Sequence, residues 1–301
     1  MGHIITDLKE TFRRGNIFIQ LIYINVSIFI IGTLINVFLQ LFQHSIPDIF
    51  GIFALPASFI RFFHQPWSII TYMFMHAGLL HILFNMLWLY WFGSLFLHFF
   101  SAKHLRGLYI LGGILGGLLY MVAYNVFPLF NQEVAVSTLV GASASVLAIV
   151  AATAYREPNY RVQLFLFGAI RLKYLALVVI GIDVLSITSS NAGGHIAHLG
   201  GALAGLWFAA SLSKGADPTA WINWLLDAFI SLFQKKTWKH KPKMKVHYGG
   251  GTTSREKDYD YNAHKKAQSD EIDRILDKLK KSGYDSLTTE EKKSLFDASK
   301  R

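Results

Sequence analysis
The 301-residue chain contains no cysteine, which excludes disulfides, thiolate metal sites and a cysteine nucleophile and leaves the redox compartment undetermined. Any covalent nucleophile must therefore be an oxygen or an amine. Charge is also scarce, at 16% Asp, Glu, Lys and Arg against 52% hydrophobic residues. Mean hydropathy is positive. An ordinary soluble domain does not have this balance, so the chain reads as a polytopic membrane protein. No small-x-small cleavage site follows the first apolar run, Ile17 to Phe42, which is too long for a signal-peptide core; it is expected to remain as a first span behind Lys9, Arg13 and Arg14.

A hydrocarbon core of about 30 Å needs roughly 20 helical residues. Six segments approach that length: Ile17 to Phe42, Leu79 to Phe100, Leu105 to Val126, Ser137 to Tyr155, Lys173 to Ser189 and His195 to Leu212. The fourth and sixth are short and rich in Gly and Ala, as expected of helices surrounded by others. The connection from Gln43 to Met75 is aromatic and poor in charge, and is expected to lie partly in the outer leaflet. The N-terminus, the Lys103/Arg106 turn, the connection from Arg156 to Lys173 and the C-terminal tail are basic, whereas the other three connections hold only Arg61. Both termini are thus expected in the cytoplasm, in a cell membrane such as a bacterial inner membrane. Ser143 and His198 then lie at similar depth, toward the outer face.

The expected organisation is a cytoplasmic N-terminus (1–16), a six-helix membrane domain (17–213), an interfacial amphipathic helix with a basic juxtamembrane segment (214–246), a flexible linker around Gly249-Gly250-Gly251 (247–268) and a small cytoplasmic helical domain (269–301). The fold class is all-α. Asp217-Pro218 opens the amphipathic stretch, and the lysines from Lys235 to Lys245 suit anionic headgroups or a solvated cluster about equally. In the last segment Ser269 opens one helix, Ser282-Gly283 closes it, and Thr288-Thr289-Glu290-Glu291 opens a second. After Phe233 come 18 of the 29 Lys and Arg residues. No aromatic platform or groove motif accompanies them, so nucleic acid is not an expected partner.

Candidate chemistry lies within the spans, where polar groups are costly and tend to mark function. Gly141-Ala142-Ser143-Ala144 offers a hydroxyl, and Ala197-His198-Leu199-Gly200-Gly201 an imidazole. A serine at its own pKa is a poor nucleophile, so such a site needs a base and donors for an oxyanion. In His76-x-x-x-x-His81-x-x-x-Asn85, His81 and Asn85 share one helical face, whereas His76 and His81 would be roughly 140° apart around a helix. An imidazole N–H, an Asn amide and the Ser143 backbone N–H are suitable donors.

These three motifs, in this order, resemble the rhomboid intramembrane serine proteases over about Pro66 to Leu212. The resemblance implies a six-helix bundle, a catalytic dyad of Ser143 and His198, an oxyanion site from His81, Asn85 and the Ser143 amide, and a supporting His76 in the first loop. Gly141, with Gly201 and Gly205 letting the sixth helix press against the fourth, would complete the support. Substrates would be membrane proteins cut in or beside a transmembrane segment, with no cofactor and no metal. The segment from Gly283 to Ser299 resembles a small cytoplasmic domain on some bacterial rhomboids. Three places depart from the pattern: Ala144 follows the serine where many members have Gly, Leu147 stands where some members stack a Tyr on the histidine, and Trp67-Ser68 where many have Trp-Arg, which removes an arginine tether from the first loop.

Alternatives remain open. His195 competes with His198 as base, although the Gly-Gly spacing favours His198. Asp183 is an intramembrane carboxylate that either orients His198 or has a structural or pathway role. Ser145, about 200° from Ser143 around a helix, reads as a packing hydroxyl. Tyr120, Asn125 and Asn25 read as interhelical hydrogen-bonders. Two rival functions are an inactive relative that binds membrane helices, and a metal-binding protein using His76, His81, His195 and His198. The metal reading is weakened by the lack of a carboxylate near those histidines and of His-Glu-x-x-His. Sequence leaves oligomeric state, natural substrate and the role of the tail undetermined.

Overall fold
The structure, a computed structural model, describes residues 16–42, 49–164, 168–233 and 253–298. The basic residues before Asn16 and the lysines from Lys235 to Lys245 lie outside them. The chain divides into two compact units, Met1–Lys235 and Lys236–Arg301.

The first unit is a helical bundle. Among the described residues four helices are long and apolar enough to cross a membrane: α1 (Ile17–Leu41), α5 (Leu79–Phe96), α6 (Ala102–Val126) and α9 (Ala192–Leu212). Two shorter helices, α7 (Ser143–Arg156) and α8 (Leu172–Leu185), complete the expected six. Short helices α2 (Ile49–Phe53), α3 (Phe59–His64) and α4 (Ser68–Thr71) fill the connection between α1 and α5. The unit ends with α10 (Ala220–Phe233).

Burial separates inner from outer helices. Residues 144 to 154 of α7 are all buried, and α6 buries Gly112, Gly113, Gly116 and Gly117. By contrast α1 exposes Ile31, Leu34, Phe38 and Leu41, and α8 exposes Leu177, Val178, Ile182 and Leu185. Apolar side chains turned outward over that length match a lipid-facing surface. The centre is held by backbone proximity: a Cβ on Gly116 would lie 2.7 Å from the Ala197 carbonyl oxygen, and one on Gly200 2.7 Å from that of Leu115. Only glycine permits such approach, and small residues at crossings are how membrane helices gain packing without a hydrophobic drive. Buried polar groups pair between elements: Asn25 donates to the Tyr109 hydroxyl (3.1 Å), Tyr120 to Ser137 Oγ (2.9 Å), and Asn125 to the Ala57 carbonyl (2.8 Å). Ser145 is buried beside Met73.

Three expectations for this unit need correction, and one connection holds a short hairpin. The fourth span does not begin at Ser137: Thr138–Leu139 (β2) pairs antiparallel with Leu55–Pro56 (β1), and the helix starts at Ser143. Gly141 sits between them at φ +127°, a left-handed conformation that a continuing helix cannot contain. The connection after α7 holds a hairpin, Arg161–Leu164 (β3) with Gly168–Arg171 (β4). The first loop does have an arginine tether, since Arg61 Nη1 donates to the Ala135 carbonyl at 3.0 Å. The amphipathic helix opens at Ala220, three residues late, because Asp217 Oδ1 accepts from the Thr219 N–H and hydroxyl and holds the chain in a turn. Within that helix Asp227 pairs with Lys103 and Arg106 of α6.

In the second unit α11 runs from Thr253 to Ser282, so residues 253–268 are helix where a flexible linker was expected, and no helix starts at Ser269. No Gly or Pro interrupts that stretch and charged helix formers fill it, which suffices without an apolar face. Gly283 ends the helix at φ +76°. Helix α12 (Thr289–Ala298) begins with a reciprocal cap: Thr288 Oγ1 accepts the Glu291 N–H, and Glu291 accepts the Thr288 N–H. Among the described residues Ile275 of α11 and Leu287 of the connection are the buried apolar side chains of this unit.

Candidate active site
Strand β2, the Gly141 turn and the start of α7 form a strand-turn-helix that presents Ser143 as the first helical residue. The turn is anchored by the Gly141 N–H donating to the Tyr72 carbonyl at 3.0 Å. The amides of the first turn of α7 have no intrahelical partner, as at any helix start, and its N-cap residue, Ala142, has no polar side chain to cap them; the positive end of the helix dipole lies beside the Ser143 hydroxyl.

His81 approaches from α5. A Cβ on Gly141 would stand 2.8 Å from His81 Nε2 and 3.7 Å from Ser143 Oγ, so ring and hydroxyl flank that glycine. His81 Nδ1 accepts the Ala77 N–H at 3.4 Å, which leaves the ring proton on Nε2, the nitrogen beside the turn. Asn85, one helical turn on, spends one amide hydrogen on the His81 carbonyl at 2.9 Å and retains the other. Ser143, His81, Asn85 and His198 line one cavity of about 650 Å³. His76 does not line it. It lies in the connection ahead of α5 rather than on its helix, 1% exposed, with its ring edge-on to that of His81 at 5.1 Å.

His198 enters on α9, whose glycines meet α7 directly. A Cβ on Gly201 would fall within contact of the Ala144 carbonyl oxygen, and one on Gly205 within contact of that of Ala148. Leu147 lines the cavity where a stacking Tyr would stand. The support for His198 comes from elsewhere: Asp183 Oδ1, on α8, lies 2.8 Å from His198 Nδ1 and 2.8 Å from His195 Nδ1. Asp183 is 3% exposed, and its Oδ2 has no hydrogen-bond partner among the described residues.

This corrects the sequence reading that no carboxylate lies near the histidines. The gaps of 12 and 15 residues are bridged because α8 and α9 are joined by a tight turn. Two imidazoles and a carboxylate are also a zinc-competent donor set. Around a tetrahedral ion with bonds of about 2.0 Å the donors would stand about 3.3 Å apart. A separation of 2.8 Å is instead that of a hydrogen bond, with a proton between the atoms.

A helical membrane bundle that opens a polar cavity onto the start of a short inner helix defines a class of intramembrane protein. Residues 64–215, just over half of the chain, match the Rhomboid domain family. The chain belongs to the rhomboid family. Residues 255–301 match a family of unknown function, DUF6576. The chain is 29% identical over 157 residues to RHOMBOID-like protein 12, mitochondrial, of Arabidopsis thaliana. That match covers 49% of this chain and 47% of that protein, so the chain spans about half the length of this curated relative.

Proposed function
We propose that the protein is an intramembrane serine endopeptidase that cleaves membrane proteins in or beside a transmembrane segment. The observation that carries this reading is the convergence of Ser143, His198, His81 and Asn85 on one cavity. Ser143 Oγ attacks the scissile carbonyl while His198 takes its proton. His81 Nε2–H, the free Asn85 amide hydrogen and the Ser143 N–H receive the oxyanion. Substrates with small or helix-breaking residues near the cut are favoured, because an amide inside a helix resists attack. The cavity opens to the outer side and both termini are cytoplasmic. Helices α11 and α12 form a small cytoplasmic domain, and Lys235 to Lys245, outside the described residues, offer charge to anionic lipid.

The test is fluorophosphonate labelling of detergent-purified wild type and Ser143→Ala, paired with cleavage of a generic single-span substrate. Labelling and cleavage that both vanish with Ser143 support the reading. A folded wild type that neither labels nor cleaves makes the protein an inactive relative that binds membrane helices.

A further inference from the structure
Resting on the endopeptidase reading, we propose that Asp183 is a positioning residue that holds His198 in its base-competent tautomer, and that His195 fixes the carboxylate in place. The family pattern requires only a Ser-His pair, yet one buried carboxylate oxygen here lies 2.8 Å from the Nδ1 of both imidazoles.

The chemistry follows from hydrogen-bond roles. A carboxylate only accepts, so each Nδ1 must carry its proton. With Nδ1 protonated, neutral His198 has its lone pair on Nε2, the nitrogen left to serve Ser143 in the shared cavity. The alternative tautomer, with the proton on Nε2, could not act as a base. His195 supplies the second donor to the same oxygen and limits rotation of the carboxylate.

The cost of the arrangement argues for its use. An ionised carboxylate that is 3% exposed among membrane helices is expensive, and such groups are retained where they serve a site. During acylation the Ser143 proton moves to His198 Nε2 as the Oγ–carbonyl bond forms, and the negative Asp183 then faces an imidazolium. Its own proton stays on Nδ1. His198 next gives the Nε2 proton to the leaving amine as the C–N bond breaks. Water attacks the acyl-enzyme with its proton passing to Nε2, and that proton returns to Ser143 Oγ as the new carboxylic acid departs. Asp183 neither gains nor loses a proton at any step.

The full chain in detergent provides the test, with kcat and KM measured on a single-span substrate for wild type, Asp183→Asn and Asp183→Glu, and folding followed by thermal melting. Asn is isosteric but can offer an N–H to Nδ1, which favours the wrong tautomer. We expect kcat to fall by about 10²- to 10⁴-fold in Asp183→Asn, the upper figure being that of a full triad, with KM within about twofold, and Asp183→Glu to regain part of it. Wild-type kcat in a folded Asp183→Asn overturns this inference and leaves the endopeptidase reading standing. An inactive wild type overturns both. If Asp183→Asn does not fold, 15N-histidine spectra of wild type, with the His198 signals assigned by their loss in His198→Gln, decide the matter. A proton on Nδ1 supports the inference, and one on Nε2 overturns it.

Discussion

Replacing Gly201 by alanine places a methyl group against the Ala144 carbonyl oxygen, beside the serine and one turn from His198. Ordinary contacts of a Cβ begin near 3.4 Å, so α7 and α9 must part by about 1 Å. Overpacking of that kind costs about 1–3 kcal/mol. A misplacement of about 1 Å between reacting groups costs about 10²-fold in rate. Gly205→Ala meets the Ala148 carbonyl in the same way but one turn farther from the reacting groups. The two variants should therefore lose similar stability, a few degrees in melting temperature, while Gly201→Ala loses more activity. Detergent melting curves and kcat/KM on one substrate check this. Wild-type kcat/KM in a folded Gly201→Ala would refute the idea that this crossing sets the distance between serine and histidine. Equal activity losses in the two variants would mean that the helices shift as rigid rods.

Three further outcomes are expected. Gly141→Ala forces a side chain onto φ +127° and toward His81 Nε2; strain of about 1–3 kcal/mol should slow fluorophosphonate labelling well before it affects the yield of folded protein, and an unchanged labelling rate would count against the His81 placement. The hydrogen bond from Arg106 holds the Asp227 carboxyl below the usual carboxylate range. A depressed carboxylate contributes stability that is present above its unfolded pKa and lost as pH falls through the folded one. The fluorescence of Trp221 and Trp224 should thus stay constant down to the ordinary carboxylate range and change only below it; a transition near neutrality would contradict the pairing. Thr288→Ala removes the cap of α12 and should cost about 0.5–2 kcal/mol locally, read as faster amide exchange over 289–298 with exchange in α6 and α7 unaltered.

Three short motifs were legible in sequence because each keeps its residues within four positions of one another: Gly141 with Ser143, His81 with Asn85, His198 with Gly201. Asp183 stood out as an intramembrane carboxylate, but its contact with His198 did not, since it reaches the histidines across a helix-to-helix connection whose geometry no spacing rule predicts. Nor was the strand ahead of Ser143: residues 137 to 142 are apolar enough to extend the helix, and only the left-handed Gly141 shows that they do not. The helix over 253–268 was missed for the opposite reason, because a charged helix without an apolar stripe carries no periodic signal.

Helix α8 carries one more consequence. Its 14 residues rise about 21 Å, yet its apolar side chains face outward. Hydrocarbon about 30 Å thick cannot match such a wall without thinning beside it. A transmembrane helix of ordinary length that drifts to that side is too long for its surroundings, and its end is pushed out of the oil next to the helix that carries Asp183. On the proposed endopeptidase reading, hydrophobic mismatch would help to select substrates and expose them, and the thickness of the host membrane would set part of the rate.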